Sequence, residues 1–174
     1  MSDNFAHRIR LDALRDGERF DLIADDDERA AVAERLGLDS LFSLEAHAVI
    51  SREAASVRAQ GRLAASLQQA CVVTNEPVST HVDAPFEILF MPEPAAGTAD
   101  EEIELEASEC DIVFYDGALI DLGSAIADTL ALNIDPYPRC ASAEAALKEA
   151  GIMTEAEASP FAALAQLKKG HDQP

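Results

Sequence analysis

The side chains with the greatest capacity for metal or redox chemistry are the cysteines and histidines. They are Cys71, Cys110, Cys140, His7, His47, His81 and His171. A structural zinc site needs about four nitrogen or sulfur ligands, which commonly come in pairs separated by two to four residues. No such pair occurs here, and Thr74 stands where the second cysteine of a Cys-x-x-Cys motif beginning at Cys71 would be. We therefore predict no metal site and no cofactor.

A cysteine nucleophile would need a general base and a group that orients this base. The nearest candidates are His81 and Asp83, but they share the polar face of a predicted strand that begins several residues after Cys71. A cysteine-dependent hydrolase is therefore the weakest alternative. The simpler interpretation is that Cys71 is a small apolar residue at the end of a strand. Because no other set of catalytic residues is apparent, we predict a protein without enzymatic activity.

The charge balance separates the possible classes of partner. Aspartate and glutamate number 33 against 13 lysines and arginines, which gives a formal net charge of −20. Such a surface repels a phosphate backbone unless its basic residues are collected into one patch. The nearest approach to a patch is a loose arginine set, which consists of Arg8, Arg10, Arg52, Arg58 and Arg62. It has no interleaved aromatic residues, so naked RNA is disfavoured and a basic protein partner is favoured, although the acidity could also serve solubility alone.

The sequence has the composition expected of an intracellular protein. No apolar run approaches the roughly 18 residues of a membrane span, and residues 1–14 lack the apolar stretch of a signal peptide. Three widely spaced cysteines argue against a disulfide framework. We expect a cytoplasmic protein with reduced thiols and no membrane partner.

Three segments alternate apolar and polar residues with the period of two that is typical of half-buried strands. Their predicted buried faces are Phe42, Leu44, Ala46, Ala48 and Ile50; Val57, Ala59, Gly61, Leu63, Ala65 and Leu67; and Val78, Thr80, Val82, Ala84, Phe86, Ile88 and Phe90. The short connection 51–56 predicts a hairpin between the first two. Pro85 falls on the opposite face of the third segment and lacks a ladder donor, which indicates an edge or a bulge. Shorter strands are predicted at 5–14, 18–24 and 111–117.

Two helices complete the predicted core. Aspartates 25–27 favour the start of the first, and Gly37 its end. In residues 121–134 Leu122, Ile126, Leu130 and Ile134 recur every four residues, flanked by Ala125 and Leu132. These patterns predict an α+β domain over residues 1–140. It is a bent antiparallel β-sheet, open or barrel-like, with one packed amphipathic helix and an accessory, alanine-rich helical C-terminal tail over residues 141–174.

Two segments have the character of partner contacts. Residues 91–110 are rich in carboxylates, of which Glu101, Glu102 and Glu104 are candidate contacts for a cationic partner; the alternative is a solvated linker. In DPYPR (135–139), Tyr137 and Arg139 belong to the residue types that are enriched at interfaces; the alternative is a rigid turn that ends the helix.

Three strings of the sequence resemble one bacterial family. QACVVTNEPV, the strand ending FEILF, and IDLGSAIADTLALNIDPYPR are similar to the YceD family, particularly its alphaproteobacterial branch, over roughly residues 5–140. The resemblance implies a large ribosomal RNA subunit accumulation protein, linked to the synthesis or processing of that RNA. Many relatives have a Cys-x-x-Cys pair in the first string and further cysteines after the last helix. Cys71 matches one position of the first pair, and Cys140 matches one position of the second. The resemblance therefore implies a branch that lacks the metal site that two complete cysteine pairs could form.

Charge and resemblance together predict a non-enzymatic factor in large ribosomal subunit biogenesis that binds basic ribosomal proteins or the assembling pre-ribosomal particle. The alternative is an RNA-processing cofactor that contacts ribosomal RNA directly through Arg58, Arg62 and Arg139. A second and weaker alternative is a hydrolase that uses Cys71 as its nucleophile.

Overall fold

The computed structural model describes residues 5–53, 56–93 and 111–152. Within these ranges the elements are β1 (Arg8–Arg10), β2 (Arg19–Ile23), α1 (Asp26–Leu36), β3 (Ser40–Glu53), β4 (Ser56–Ala70), β5 (Pro77–Pro92), β6 (Asp111–Tyr115), β7 (Leu119–Asp121), α2 (Leu122–Asn133) and α3 (Ala143–Glu149). They form two compact units. The first comprises the described residues of 5–69 and 79–136, and the second comprises 70–78 and 137–152.

A five-stranded sheet with the order β2-β3-β4-β5-β6 forms most of the first unit. The pairs β2–β3 and β3–β4 are antiparallel, and β3–β4 is the predicted hairpin, in which Glu53 lies opposite Ser56. Strands β1 and β7 form a separate antiparallel pair. The predicted α+β class is confirmed. The strand order is linear, so within the described residues the sheet is open rather than a closed barrel.

Strand β6 differs from these antiparallel pairs, because it pairs in parallel with the end of β5, from Ile88 opposite Asp111 to Pro92 opposite Tyr115. Parallel neighbours need a connection of about a dozen residues or more, and the chain between β5 and β6 is long enough. Pro85 precedes the residues that pair with β6, so among the described residues it has no β6 partner, which agrees with the edge, one of the two alternatives predicted for it.

The alternation predicted for the long strands is confirmed for most residues and wrong for Phe42. Val57, Ala59, Leu63, Ala65 and Leu67 of β4 are all buried. In β3 the register shifts between Leu41 and Ser43, which is an irregularity of the kind that a β-bulge produces. Leu41 therefore enters the core, whereas Phe42 is 56% exposed.

The two predicted core helices are present. Asp25 and Glu28 form a capping box at the start of α1, and Gly37 ends it in the left-handed conformation. In α2 the side chain of Asp121 accepts a hydrogen bond from the Ser124 N–H at 3.0 Å. No helix of the described residues is long and apolar enough to cross a membrane.

The predicted apolar face of α2 is confirmed in part. Leu122, Ile126 and Leu130 are fully buried and belong to one core cluster with the predicted sheet residues Leu44, Leu63, Phe86 and Ile88. Leu132 is 73% exposed, so its prediction as a flanking core residue is wrong. It lies two residues after Leu130, which corresponds to about 200° around the helix and therefore to the opposite side.

Helix α3 begins the predicted C-terminal tail. Ser142 occupies the N-cap position of α3, but its side chain makes no capping hydrogen bond; its hydroxyl donates to Glu76 instead. The rest of the tail that is predicted to be helical, residues 153–174, lies outside the described residues. The division at residue 140 stays a prediction.

Candidate functional site

The exposed face of the five-stranded sheet has paired charges across its strands. On β4, Arg58 forms an ion pair with Glu87 of β5, and Arg62 contacts Asp83 of β5 at 2.5 Å. The hydrogen bond from Arg62 lowers the pKa of Asp83 and raises that of the guanidinium. Each positive charge on this strand therefore lies beside a negative one.

Two histidines occupy the same face. The Nδ1 of His47 lies 2.6 Å from Asp21, and this hydrogen bond raises the pKa of the imidazole. His47 is also the register partner of Arg62. We call this set the sheet-face charge ladder; its members are Asp21, His47, Arg58, Arg62, Asp83 and Glu87. His81 instead contacts the Ser66 hydroxyl through Nδ1 at 3.1 Å.

The remaining members of the predicted arginine set also have partners. Arg8 lies 3.6 Å from Asp121, and Arg10 lies 2.7 Å from Asp12. Arg52 donates to the backbone carbonyl of Leu11 at 3.0 Å. The five arginines are thus distributed among local carboxylates and carbonyls, an arrangement that weakens their attraction for a polyanion.

The second unit brings together two segments that are distant in sequence. The chain reverses after β4, where the N–H of Cys71 donates to the Glu76 carbonyl at 2.8 Å and the N–H of Asn75 donates to the Cys71 carbonyl at 2.9 Å. Asn75 has a positive φ of 60°, a conformation that asparagine tolerates well. The N–H of Val72 donates to the Pro138 carbonyl at 2.9 Å, which fixes this turn against the segment that follows α2.

This pairing places both described cysteines in one cluster, the thiol cluster, which consists of Cys71, Thr74, Glu76, Cys140 and Ser142. The two Sγ atoms are 3.3 Å apart, and the N–H of Cys140 lies 3.3 Å from the Cys71 Sγ. The Cys140 thiol also lies 3.0 Å from the Thr74 hydroxyl and 3.1 Å from a Glu76 oxygen. Neither cysteine is in a disulfide; Cys71 is 2% exposed and Cys140 is half-buried.

Hydrogen bonding controls the ionisation of the cluster. Burial alone would raise the pKa of the Cys71 thiol. The backbone N–H of Cys140, the hydroxyl and N–H of Thr74, and the N–H of Val73 together outweigh it and lower the pKa to about 6. Cys71 is therefore mainly a thiolate at neutral pH. Hydrogen bonds from Ser142, Cys140 and Thr74, in that order, lower the pKa of Glu76.

Thr74, which replaces the second cysteine of the motif, keeps a place in the thiol cluster as a hydrogen-bonding hydroxyl. Within the described ranges no group of three or more histidine, cysteine or acidic side chains is arranged to hold a metal ion. Cys71 was predicted to lie at the end of a strand, and in the structure it directly follows Ala70, the last residue of β4. Its contact with Cys140 was not predicted. The available signal was that each residue matched one position of a family cysteine pair.

The hydrolase candidates are engaged elsewhere: His81 with Ser66, and Asp83 with Arg62. Of the predicted partner contacts, Tyr137 is 71% exposed and Arg139 is also exposed, both in the second unit. Glu101, Glu102 and Glu104 lie outside the described residues.

The fold and these two sites define an acidic α+β protein with a charge-paired sheet face and a separate thiol cluster. Residues 59–168, more than half of the chain, match the family model described as "Large ribosomal RNA subunit accumulation protein YceD". The chain belongs to the YceD family, which connects it with the large ribosomal subunit. No curated protein and no solved structure matches the chain.

Proposed function

We propose that this protein is a non-enzymatic cytoplasmic factor in large ribosomal subunit biogenesis that binds a basic ribosomal protein or the assembling particle. Membership of the YceD family supports the process. The pairing of arginines with carboxylates on the sheet face supports the mode of action. With a net charge of −20 and these arginines neutralised locally, the protein attracts cationic partners more readily than free RNA.

The contact residues proposed for this partner fall into two groups. Tyr137 and Arg139 are exposed, and tyrosine and arginine are among the residue types that are enriched at the energetic centres of interfaces. The carboxylates Glu101, Glu102 and Glu104 add negative charge that accelerates association with a cation.

Affinity purification of the tagged chain from its own cells, at low and at moderate salt, tests the partner class. We expect basic ribosomal proteins to co-purify at low salt, to remain after nuclease treatment, and to decrease as salt screens the charges. The double variant Tyr137→Ala/Arg139→Ala should reduce recovery. Arg10→Ala, which changes an exposed arginine of the first unit, is the matched control and should not. Recovery of free RNA without ribosomal proteins would overturn the proposal.

A filter-binding assay on large-subunit ribosomal RNA tests the alternative of direct contact. Arg58→Glu, Arg62→Glu and Arg139→Glu should leave the weak binding of the native chain unchanged. Conversely, Asp83→Asn combined with Glu87→Gln should increase it, because these changes remove the carboxylates that neutralise Arg62 and Arg58. Tight binding by the native chain that the glutamate variants abolish would favour the RNA-processing cofactor instead.

A further inference from the structure

We propose that Cys71 and Cys140 form an oxidisable pair, a modification site that a peroxide converts reversibly into an intramolecular disulfide. The inference is independent of the proposed ribosomal role. It depends on the geometry of the second unit, in which two thiols from segments 69 residues apart in sequence lie with their sulfurs 3.3 Å apart.

The backbone around the thiol cluster holds the two sulfurs in reach of each other. Val72 donates to the Pro138 carbonyl at 2.9 Å, so the residues after Cys71 and before Cys140 are already paired. A disulfide has an S–S length of about 2.05 Å, so the sulfurs need to approach by only a little over 1 Å. The backbone N–H of Cys140 also lies only 3.3 Å from the Cys71 sulfur, so the main chain at Cys140 is already close to it.

The two thiols have different environments, and this difference determines which cysteine is oxidised first. Cys140 is half-buried and reachable by a small oxidant, whereas Cys71 is 2% exposed. Hydrogen bonds to Cys71 hold its sulfur as a thiolate, which is the form that attacks an oxidised sulfur. Cys140 is thus the site of first oxidation, and Cys71 is the internal nucleophile that resolves it.

Hydrogen peroxide, as the class of oxidant, balances the reaction. The Cys140 thiol releases its proton to solvent, and the resulting thiolate attacks one peroxide oxygen. The O–O bond breaks, Cys140 sulfenic acid forms, and the leaving hydroxide takes up a proton to become water. The Cys71 thiolate then attacks the Cys140 sulfur, the S–O bond breaks, and hydroxide leaves as the disulfide forms. A small-molecule thiol restores both cysteines by two exchange steps and is itself oxidised to a disulfide.

Two neighbouring thiols could instead bind a structural metal ion, but the geometry here favours disulfide formation. Tetrahedral zinc with Zn–S bonds of about 2.3 Å places two sulfur ligands about 3.8 Å apart. The 3.3 Å separation is shorter, and the side chains next to Cys140 are two hydroxyls and one carboxylate rather than further thiols or imidazoles. Such a set provides neither the four strong ligands nor the spacing of a structural zinc site.

Peptide mapping of the reduced full chain after peroxide treatment tests the pair. Trypsin has no cleavage site between Arg62 and Arg139. Cys71 and Cys110 are therefore contained in one tryptic peptide, 63–139, and Cys140 is contained in another, 140–148. The Cys110→Ser variant removes this ambiguity. In that background we expect peroxide to join the two peptides by a disulfide that dithiothreitol cleaves. The cross-link should form at least tenfold faster in the folded chain than in urea.

Two further variants assign the roles. Cys71→Ser should leave Cys140 as a sulfenic acid that dimedone traps, whereas Cys140→Ser should remove most of the reaction with peroxide. The proposal is overturned if Cys140 is oxidised to sulfinic acid without joining Cys71, or if the rate in urea equals that in the folded chain. It is also overturned if the reduced chain binds one equivalent of zinc that either variant abolishes, since the pair would then be a metal site.

Discussion

Leu130 gives the sharpest test of how α2 packs, because a matched leucine lies two positions further along the same helix. Leu130 is fully buried, whereas Leu132 is 73% exposed. Replacing a buried leucine by alanine removes apolar contacts and leaves a cavity, which lowers the free energy of unfolding by about 2–5 kcal/mol. Since 1 kcal/mol moves the Tm of a chain this long by about 2–4 °C, Leu130→Ala should lower the Tm by about 4–20 °C.

Leu132→Ala is the control for every effect other than burial. Both substitutions make the same chemical change in the same helix, and leucine and alanine are both strong helix formers. Leu132 lies in the last turn of α2, and a substitution at such an exposed position usually changes the free energy of unfolding by less than about 0.5 kcal/mol. The difference between the two variants therefore isolates the packing of α2 against the sheet.

Urea unfolding followed by far-ultraviolet circular dichroism measures both variants. We expect the midpoint of Leu130→Ala to decrease at an unchanged m-value, and that of Leu132→Ala to stay near the native value. Equal midpoints for the two variants, or a larger loss for Leu132→Ala, would refute the assigned orientation of the helix.

Three further predictions concern the sheet and the thiol cluster. Gly61→Ala should strongly destabilise the fold and lower the Tm, because an added Cβ would lie 1.9 Å from the His47 carbonyl oxygen; a native Tm would contradict this approach. Asp21→Asn should lower the pKa of His47, which NMR titration measures; the stabilisation from this raised pKa is present below pH 6.5 and fades as pH rises through the folded value. Because the pKa of Cys71 is lowered from 9.0 to about 6, its thiolate should contribute stability above pH 9.0 that is lost as the pH falls through 6. The difference in unfolding free energy between the native chain and Cys71→Ser should become smaller as the pH falls from 9.0 through 6. A difference that does not change with pH would argue against the thiolate.

Local patterns predicted the elements whose stabilising interactions are themselves local. The start of α1 follows from Asp25 and Glu28, which satisfy each other's backbone N–H groups within one turn. The buried face of α2 follows from a repeat of four residues, and that of β4 from strict alternation. In each case the residues that decide the structure lie within a few positions of one another, so the sequence alone contains the necessary information.

The features that could not be predicted depend on partners far along the chain. Alternation gives the same pattern for parallel and antiparallel strands, so it does not specify the direction of β6 relative to β5. A single irregularity near Leu41 reverses the alternation of buried and exposed residues, so that Phe42 is exposed. No glycine or proline marks this position in the sequence. The 69-residue separation of Cys71 from Cys140 likewise prevents any local pattern from indicating that their sulfurs meet.

Under the proposed function, we expect the sheet-face charge ladder to affect partner choice more than folding. In the pair of Arg62 with Asp83, the side chains are 60% and 47% exposed, and exposed pairs of this kind contribute little to stability. Their effect on the electrostatic field is larger, because each pair cancels a positive charge on a protein that already has a net charge of −20. A phosphate backbone approaching this face would have to displace the carboxylates from the arginines. The proposed cationic partner would meet no such competition, because the net charge of −20 attracts it while the ladder stays intact.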